Sequence, residues 1–271
     1  MSKLEELKKL KEQLQLEIVG KNNIPSDAPS VIISNHNRLM DIFYLPFAFD
    51  EDIISLVSAR LVYKQDLDRL SYINKYLNAF PIEAHGGKTY SDLCLENASC
   101  LLKNNVSLSI WPEGAYIDDI AHVYKGRTGG ARILFNALGN KCYAYFLPVS
   151  INIDSEDELD SYIPNKTDKV KITINEPILP DDYYYDYSNC CSKEERNSIL
   201  HEITTEGMKS IAKSLNREYV DEYIELYPKG NVIFSDGTTI KTEYAQNKAC
   251  KDVYNNELKE LSKKLVNSIQ K

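Results

Sequence analysis

No apolar run in this chain of 271 residues is long enough to cross a lipid bilayer. A spanning helix takes roughly 18 to 20 consecutive apolar residues. The longest apolar candidate, Ile42 to Phe49, is far shorter and contains Pro46. The first residues also lack the apolar segment of a signal peptide. We therefore expect a cytoplasmic protein whose only form of membrane contact is peripheral, on the inner face.

Cysteine patterns that hold metals or form redox pairs are missing as well. The six cysteines include no CxxC, and Cys190 and Cys191 are adjacent, which is poor geometry for a bridge. We expect reduced thiols. Positive charge is in deficit, because 32 Lys and Arg residues stand against 40 Asp and Glu residues, for a net charge of -8. This balance argues against a nucleic-acid partner and against adhesion to an anionic membrane by charge alone.

The sequence does contain a regular alternation of strands and helices. Apolar strand candidates alternate with helical stretches, and this order predicts a layered α/β/α sheet with mostly parallel strands. We assign residues 1–192 to this α/β domain, which includes a predicted helix near Leu67 to Leu77. Residues 193–271 are assigned to a mostly helical C-terminal extension, with a hairpin predicted from Gly230 to Lys241 between two helical stretches. The extension is interpreted as part of the same domain, an appended unit or a dimer contact. The cluster from Asp181 to Tyr187 is predicted to be a polar loop whose rings are half-buried against the domain, with a lid over a substrate channel as the alternative.

An apolar stripe runs along the first segment of the chain. Its members recur at spacings of three and four and are Leu4, Leu7, Leu10, Leu14 and Ile18. This spacing predicts an amphipathic helix. The favoured interpretation is that the stripe packs on its own domain. The alternative is a peripheral contact of residues 4–18 with a membrane or a lipid substrate.

A histidine and an aspartate, His36 and Asp41, follow the apolar run from Val31 to Ile33. Residues five apart on one helix lie roughly 140° apart around its axis, so these two side chains meet only if the chain bends between them. A strand ending at Ile33, a turn with His36 and a helix beginning near Asp41 would bring them together. The carboxylate would then orient the imidazole as a general base. The alternative is a helix-capping aspartate beside an ordinary hydrogen-bonded histidine.

A second chemical signal follows the strand candidate from Val106 to Trp111. This strand runs into a Pro-Glu-Gly turn that contains Glu113 and Gly114. The carboxyl ends of strands form the edge at which open α/β sheets bind ligands. A loop that enters a helix, residues 124–132, and a third buried strand, Tyr145 to Ile151, complete the pattern.

In this order the segments resemble the glycerolipid acyltransferase family, which includes bacterial 1-acylglycerol-3-phosphate acyltransferases. The blocks that carry the resemblance are the NHx4D block at Asn35 to Asp41, the P-E-G block at Pro112 to Gly114, the K-x-G loop at Lys125 and Gly126, and the late P-V pair at Pro148 and Val149. A typical lead-in from Leu16 to Pro25 precedes them, and the resemblance extends to about Pro180.

The resemblance implies an enzyme of lipid metabolism and phospholipid biosynthesis. It would move a fatty acyl group from acyl-CoA or acyl-carrier protein to a hydroxyl or amine of a lipid-like acceptor, with no cofactor besides the donor. His36 would be the general base, and Asp41 would orient it. The residues implied in substrate binding are Asn35, Glu113, Gly114, Tyr116, Lys125 and Gly126.

Two blocks depart from the family pattern. Where the family has I-D-R the chain has Ile82-Glu83-Ala84, and where it has E-G-T-R the chain has Tyr116 in place of the arginine. Arginine is the side chain that best matches phosphate oxygens. We therefore favour an acceptor without a phosphate, whose neutral or sugar-like group stacks on Tyr116. The alternative is a 1-acylglycerol-3-phosphate acyltransferase proper, with the phosphate bound by Lys125, Arg127 or Arg38.

Two hypotheses from other classes remain. In the first, His36, Asp41 and Glu113 bind zinc or iron in a hydrolase, although no HExxH-like spacing supports this. In the second, the chain is a non-catalytic module that binds a lipid or a carrier protein. His85 and His122 lie near the motif blocks, and we interpret both as surface or loop histidines.

Overall fold

A computed structural model describes residues 3–38, 40–63, 76–83, 88–115, 119–154, 168–224, 231–233, 236, 238–241 and 248–270. The strands in these ranges are β1 (Gln15–Val19), β2 (Ser30–Ser34), β3 (Ile54–Ser58), β4 (Asn78–Ile82), β5 (Leu108–Ile110), β6 (His122–Tyr124), β7 (Tyr145–Asp154), β8 (Lys169–Ile174), β9 (Glu218–Val220), β10 (Asn231–Ile233) and β11 (Thr239–Lys241). The α-helices are α1 (Lys3–Lys11), α2 (Asp41–Tyr44), α3 (Ala59–Val62), α4 (Lys88–Leu102), α5 (Gly129–Gly139), α6 (Asp181–Asn189), α7 (Lys193–Leu215) and α8 (Lys248–Ile269). Short 3₁₀ turns cover Lys21–Asn23 and Leu45–Ala48.

The central sheet has seven strands in the order β1-β8-β7-β2-β5-β3-β4. The pair β7 and β8 is antiparallel, and the other neighbouring strands are parallel. All five residues of β2 are buried, as expected for a parallel strand with both faces covered. The predicted layered fold with mostly parallel strands is therefore confirmed.

Helices cover the two faces of this sheet and create two apolar clusters. Val31 and Ile33 of β2 face the first cluster, whereas Ile32 between them faces the second, because successive side chains of a strand point to opposite faces. The first cluster also takes residues from α4, α5, α7 and α8, and the second takes the segment from Ile42 to Phe49. Among the described helices, none combines the length and the apolar character needed to cross a bilayer.

The predicted amphipathic helix up to Ile18 is wrong beyond Lys11. There α1 ends, and Gln15–Val19 forms the edge strand β1, which pairs in parallel with β8. Leu14 and Ile18 are four residues apart, a spacing that fits a strand as well as a helix, and Leu16 lies on the same face. These three side chains pack against the second cluster. This part of the stripe therefore belongs to the core, and contact of residues 4–18 with a membrane stays a prediction for α1 alone.

The predicted loop from Asp181 to Tyr187 is also wrong, because these residues form α6. Asp181 and Asp182 occupy its first turn, where acidic side chains favour a helix. The rings of Tyr184 and Tyr187 lie 5.6 and 4.9 Å from the ring of Phe135 on α5. The half-buried rings were predicted correctly, and they give the segment a packed helical face in place of a loop.

The helices predicted beyond residue 193 are present. Ser192 and Glu195 form a reciprocal capping box at the start of α7. Helix α8 packs on α4, and its Tyr254 and Leu258 are fully buried in the first cluster. The predicted hairpin is present as the antiparallel pair β10 and β11. The division of the chain at residue 192 stays a prediction. The predicted helix near Leu67 to Leu77 lies mostly outside the described residues.

Candidate active site

The segments that follow two adjacent strands of the sheet, β2 and β5, meet at one place. The order β7-β2-β5 makes β2 the middle strand, and β7 and β5 both run parallel to it. His36 follows β2 and Glu113 follows β5. Since the carboxyl ends of parallel strands meet at one edge, both residues lie at the edge where such sheets bind ligands. The Pro-Glu-Gly turn was predicted at this edge.

His36 and Asp41 are in contact across the turn between β2 and α2. The Nδ1 atom of His36 lies 3.2 Å from Oδ2 of Asp41. The Asp41 side chain is 1% exposed and that of His36 is 14% exposed. The ring of Trp111 lies 5.5 Å from the imidazole and packs beside it. A carboxylate at Nδ1 places the ring proton there and makes Nε2 the basic nitrogen.

The same Asp41 oxygen also organises the turn. Its Oδ2 atom accepts hydrogen bonds from the backbone amides of Asn37, at 2.8 Å, and Arg38, at 3.0 Å. These amides precede α2, whose N-cap residue is Met40 without a side-chain cap bond, so Asp41 does not act as a helix cap. The contact with His36 has the geometry of the orienting interpretation. The imidazole and the turn that carries it are positioned by a single carboxylate.

Glu113 connects the turn after β5 to the turn after β2. Its Oε2 accepts the backbone amide of His36 and its Oε1 accepts that of Tyr124, both at 2.9 Å. The side chain is 1% exposed, and burial raises the pKa of Glu113 to about 7 although both amides act against the shift. Gly114 closes the turn with φ +85°, a left-handed conformation that favours glycine. The described contacts of Glu113 position the His36 turn and leave little surface for a substrate.

Asn35 connects the same turn to β7. Its Oδ1 accepts the amide of Ile151, and its Nδ2 donates to the Ile151 carbonyl, both at 2.9 Å. Its Nδ2 atom also lies 2.8 Å from Oδ1 of Asn37. Asn35 is 1% exposed. Its bonds to Ile151 continue the hydrogen bonding between β2 and β7 past the end of β2. Its predicted contact with substrate stays a prediction.

Lys125 and Gly126 lie on the loop between β6 and α5. The Lys125 ammonium is 2.9 Å from Asp221 and 5.4 Å from the centre of the Tyr223 ring. The hydrogen bond to Asp221 raises the pKa of Lys125. A side chain at Gly126 would place its Cβ 2.8 Å from Cγ2 of Thr204, so only glycine lets this loop approach α7. The predicted phosphate contact of Lys125 therefore competes with an ion pair.

Several predicted residues lie elsewhere. Ala84, His85 and Tyr116 lie outside the described residues. His122 is half-buried on β6, with Nδ1 2.7 Å from Oδ2 of Asp119. Of the cations named for a phosphate, Arg38 is buried and Arg127 donates to the carbonyl of Ile224 at 3.1 Å.

Arg217 also enters this site, and nothing in the sequence predicted it. Its Nη1 donates to Oδ1 of Asn37 at 2.6 Å, although the two residues are 180 positions apart. Its Nη2 donates to Oδ1 of Asn152 at 3.1 Å. No motif or local periodicity marks an isolated arginine after a helix, so only the fold could reveal it.

The metal-hydrolase hypothesis receives no geometric support from the part of the chain that the structure describes. There, no three His, Cys, Asp or Glu side chains are grouped so that they could hold a metal ion. The oxygens of Glu113 and one oxygen of Asp41 instead accept backbone amides. The side chains of Glu113 and Asp41 thus hold the His36 turn by hydrogen bonds.

Comparison with known proteins identifies the class of enzyme. A sequence model of the acyltransferase family matches residues 15–152, just over half of the chain. The chain belongs to this family and is an acyltransferase. The matched range contains His36, Asp41, Glu113 and Lys125, whereas Arg217 lies beyond it.

A solved structure is also similar to this chain. It is the crystal structure of the 1-acyl-sn-glycerophosphate (LPA) acyltransferase PlsC from Thermotoga maritima. The two sequences are 23% identical over 76% of this chain and 78% of that chain, with a TM-score of 0.47.

Proposed function

We propose that this acyltransferase moves a fatty acyl group from a CoA or carrier-protein thioester to a hydroxyl or amine of a lipid-like acceptor. His36 is the general base and Asp41 orients it. The observation that carries the proposal is the 3.2 Å contact between His36 Nδ1 and Asp41 Oδ2 at the carboxyl edge of β2, within the family-matched residues.

The proposed reaction is a direct transfer between two substrates. Nε2 of His36 takes the proton of the acceptor as the acceptor's oxygen or nitrogen attacks the thioester carbonyl. The resulting tetrahedral oxyanion collapses, the carbon–sulfur bond breaks, and the thiolate takes the proton from the imidazolium. A thioester is already activated, so the step needs alignment and a base but no covalent enzyme intermediate.

For the acceptor we propose a molecule without a phosphate at the nucleophilic end. The sequence lacks arginine at positions 84 and 116, and Lys125 is paired with Asp221. The second candidate is 1-acylglycerol-3-phosphate, the acceptor of the bacterial enzymes in the family that the sequence resembles. In that case the phosphate would draw Lys125 away from Asp221.

A competition assay tests both the activity and the acceptor. The protein is incubated with acyl-CoA or acyl-carrier protein and a mixture of lysophosphatidic acid, neutral lysolipids, sugars and amines, and mass spectrometry identifies the products. We expect a neutral acceptor to be acylated most efficiently. Preference for lysophosphatidic acid would refute the acceptor proposal, and no product with any acceptor would refute the activity. The Ala84→Arg, Tyr116→Arg double variant should improve the use of phosphate acceptors.

Metal analysis and donor-binding measurements separate the alternatives from other classes. Zinc or iron at one equivalent in purified protein, together with hydrolysis that a chelator abolishes, would support the metal hydrolase. Tight binding of acyl-carrier protein or lipid without any turnover would support the non-catalytic module. Acyl transfer that continues in the presence of a chelator would exclude both.

A further inference from the structure

The Arg217 guanidinium touches the turn that carries His36. We propose that Arg217 is a positioning residue for the His36 and Asp41 pair, acting through Asn37 from outside the family-matched part of the chain. This inference rests on the proposed function, because it concerns the same site. It adds a residue that no family motif contains.

The backbone on both sides of Arg217 is fixed. Helix α7 ends at Leu215, and Asn216 adopts a left-handed conformation with φ 55°, which reverses the chain direction. The amide of Arg217 then donates to the carbonyl of Ala212 at 2.9 Å. The next three residues form β9, which pairs in parallel with β6. The position of Arg217 is therefore held by a helix end and a strand pair, and its side chain extends from rigid backbone.

The guanidinium joins two segments of the site. Its Nη1 donates to Asn37 in the turn after β2, and its Nη2 donates to Asn152 near the end of β7. Arginine suits this task because its planar fork directs several N–H groups from one charged side chain. Bonds from a charged donor are roughly twice as strong as neutral ones. Within the described residues both hydrogen-bond acceptors of Arg217 are neutral amide oxygens, so no carboxylate neutralises the guanidinium by direct contact.

Asn37 connects Arg217 to the His36 and Asp41 pair. Its side-chain oxygen accepts from Arg217, and its side-chain nitrogen donates to the carbonyl of Asp119 at 3.1 Å. Its backbone amide donates to the Asp41 oxygen that faces His36. Holding the Asn37 side chain therefore holds the amide that fixes Asp41. Loss of Arg217 would release one of the bonds that set the rotation of Asn37.

The charge of Arg217 is also placed among the acidic groups of the site. Burial lowers the pKa of its guanidinium, and the nearby charges of Asp41, Glu113 and Asp119 act in the opposite direction. Arginine stays protonated at neutral pH in spite of such a shift. The structure thus gives Arg217 both a geometric and an electrostatic connection to the His36 turn.

A double-mutant cycle tests the proposal. Arg217→Met removes the charge and the donors, and Asn37→Ala removes the acceptor. We expect each single variant to lower kcat by about 10²-fold or less, the size of a small misplacement of a catalytic group, with KM for the thioester little changed. The double variant should be no slower than the slower single variant. Arg217→Lys keeps the charge and one contact, so it should recover part of kcat.

Arg196→Met is the matched control, because Arg196 is an exposed arginine on α7, the helix that precedes Arg217, and it donates to the carbonyl of Cys190. Its kcat should equal that of the wild type. Additive losses in the double variant would overturn the proposal. A raised KM for an anionic acceptor with unchanged kcat would also overturn it, because Arg217 would then bind substrate directly.

Amide hydrogen exchange makes the inference testable without turnover. The amides of Asn37 and Arg38 are bonded to Asp41, so they should exchange faster in Arg217→Met and stay slow in Arg196→Met. If Arg217→Met does not fold, Arg217→Lys provides the same readout. Unchanged exchange refutes the inference even if the wild type proves inactive, whereas an inactive wild type with accelerated exchange refutes only the proposed function.

Discussion

His36 and Asp41 show how one bend creates a chemical unit at the residue scale. Their contact requires β2 to end at Ser34 and α2 to begin at Asp41, with the intervening turn folded around the carboxylate. The hydrogen bonds from the turn amides to Asp41 are local, whereas Glu113 holds the His36 amide from 77 positions away. The His36 turn is therefore positioned by one local and one distant carboxylate.

Substitution of the pair tests its role directly. We expect His36→Ala to lower kcat by about 10² to 10⁴, the typical loss when an oriented base is removed. Asp41→Asn should also lower kcat by orders of magnitude, because an amide stabilises the imidazolium far less than a carboxylate. Steady-state kinetics on folded variants measure both effects. His122→Gln is the control, since His122 also contacts an aspartate but should be dispensable. Full activity of a folded His36→Ala variant would contradict the mechanism.

Glu113 should make stability depend on pH. Burial raises its pKa from 4.5 to about 7, so the folded state binds this proton more tightly than the unfolded state. The contribution of Glu113 to the unfolding free energy is therefore greatest below pH 4.5. This contribution falls by roughly 3 kcal/mol in total as the pH rises from 4.5 through about 7.

Urea unfolding between pH 5 and pH 8 measures this dependence. Glu113→Gln cannot ionise, so the decrease in unfolding free energy with pH should be smaller than in the wild type. At pH 5 its stability should be below that of the wild type, because one backbone amide loses its acceptor. Glu96→Gln, an exposed change on α4, should leave the pH dependence unchanged. Parallel wild-type and Glu113→Gln profiles would rule out this titration.

At the element scale, β1 shows that the same spacing of apolar residues can fit a helix or a strand. Leu10, Leu14 and Ile18 are four residues apart, which is compatible with a helical stripe and, for the last two, with alternate positions of a strand. Pairing with β8 decides for a strand, because it satisfies the backbone of residues 15–19 and buries one face.

Ile18→Asp tests this assignment. The substitution places a charge against the second core cluster, so we expect a loss of about 1 to 3 kcal/mol in unfolding free energy. Glu17→Gln is the matched control on the exposed face, where loss of its ion pair with Lys171 should cost about 0 to 1 kcal/mol. Equal stabilities of the two variants, measured in urea, would indicate that β1 is not packed as described.

At the scale of the whole molecule, the C-terminal extension and the family-matched residues share a core. Tyr254 and Leu258 of α8 are buried with residues of α4, and the hydroxyl of Tyr254 donates to Glu83 after β4 at 3.3 Å. Arg217 reaches the turn of His36 from the end of α7. The extension thus contacts the carboxyl edge of the sheet after two of its strands, β4 and β2.

Cooperative unfolding tests whether the extension is part of the same unit. Leu258→Ala should lower the unfolding free energy by about 2 to 5 kcal/mol, as is usual for a fully buried leucine. Leu134→Ala on α5, also fully buried, is the comparison inside the family-matched range. If the chain is one cooperative unit, both variants shift a single urea transition observed by fluorescence and circular dichroism. A separate transition that only Leu258→Ala shifts would support a division near residue 192.

The sequence by itself determined what depends on local pattern. Apolar runs with flanking turns located β2, β5 and β7, and the blocks around His36, Glu113 and Lys125 indicated the family and the sheet edge of the site. These predictions succeeded because burial on both faces, turn chemistry and short motifs are properties of adjacent residues. The loop predicted from Asp181 to Tyr187 was wrong for the converse reason, since Tyr184 and Tyr187 of this helix pack on Phe135, which is distant in the sequence.

Only the tertiary structure decided how distant segments meet. The pairing of β1 with β8 and of β6 with β9 depends on which edges the fold leaves open. Arg217 comes to Asn37 because a left-handed residue ends α7 beside the sheet, and no spacing in the sequence encodes a contact across 180 positions. Hydrogen bonds between distant residues depend on the path of the whole chain, which local periodicity does not specify.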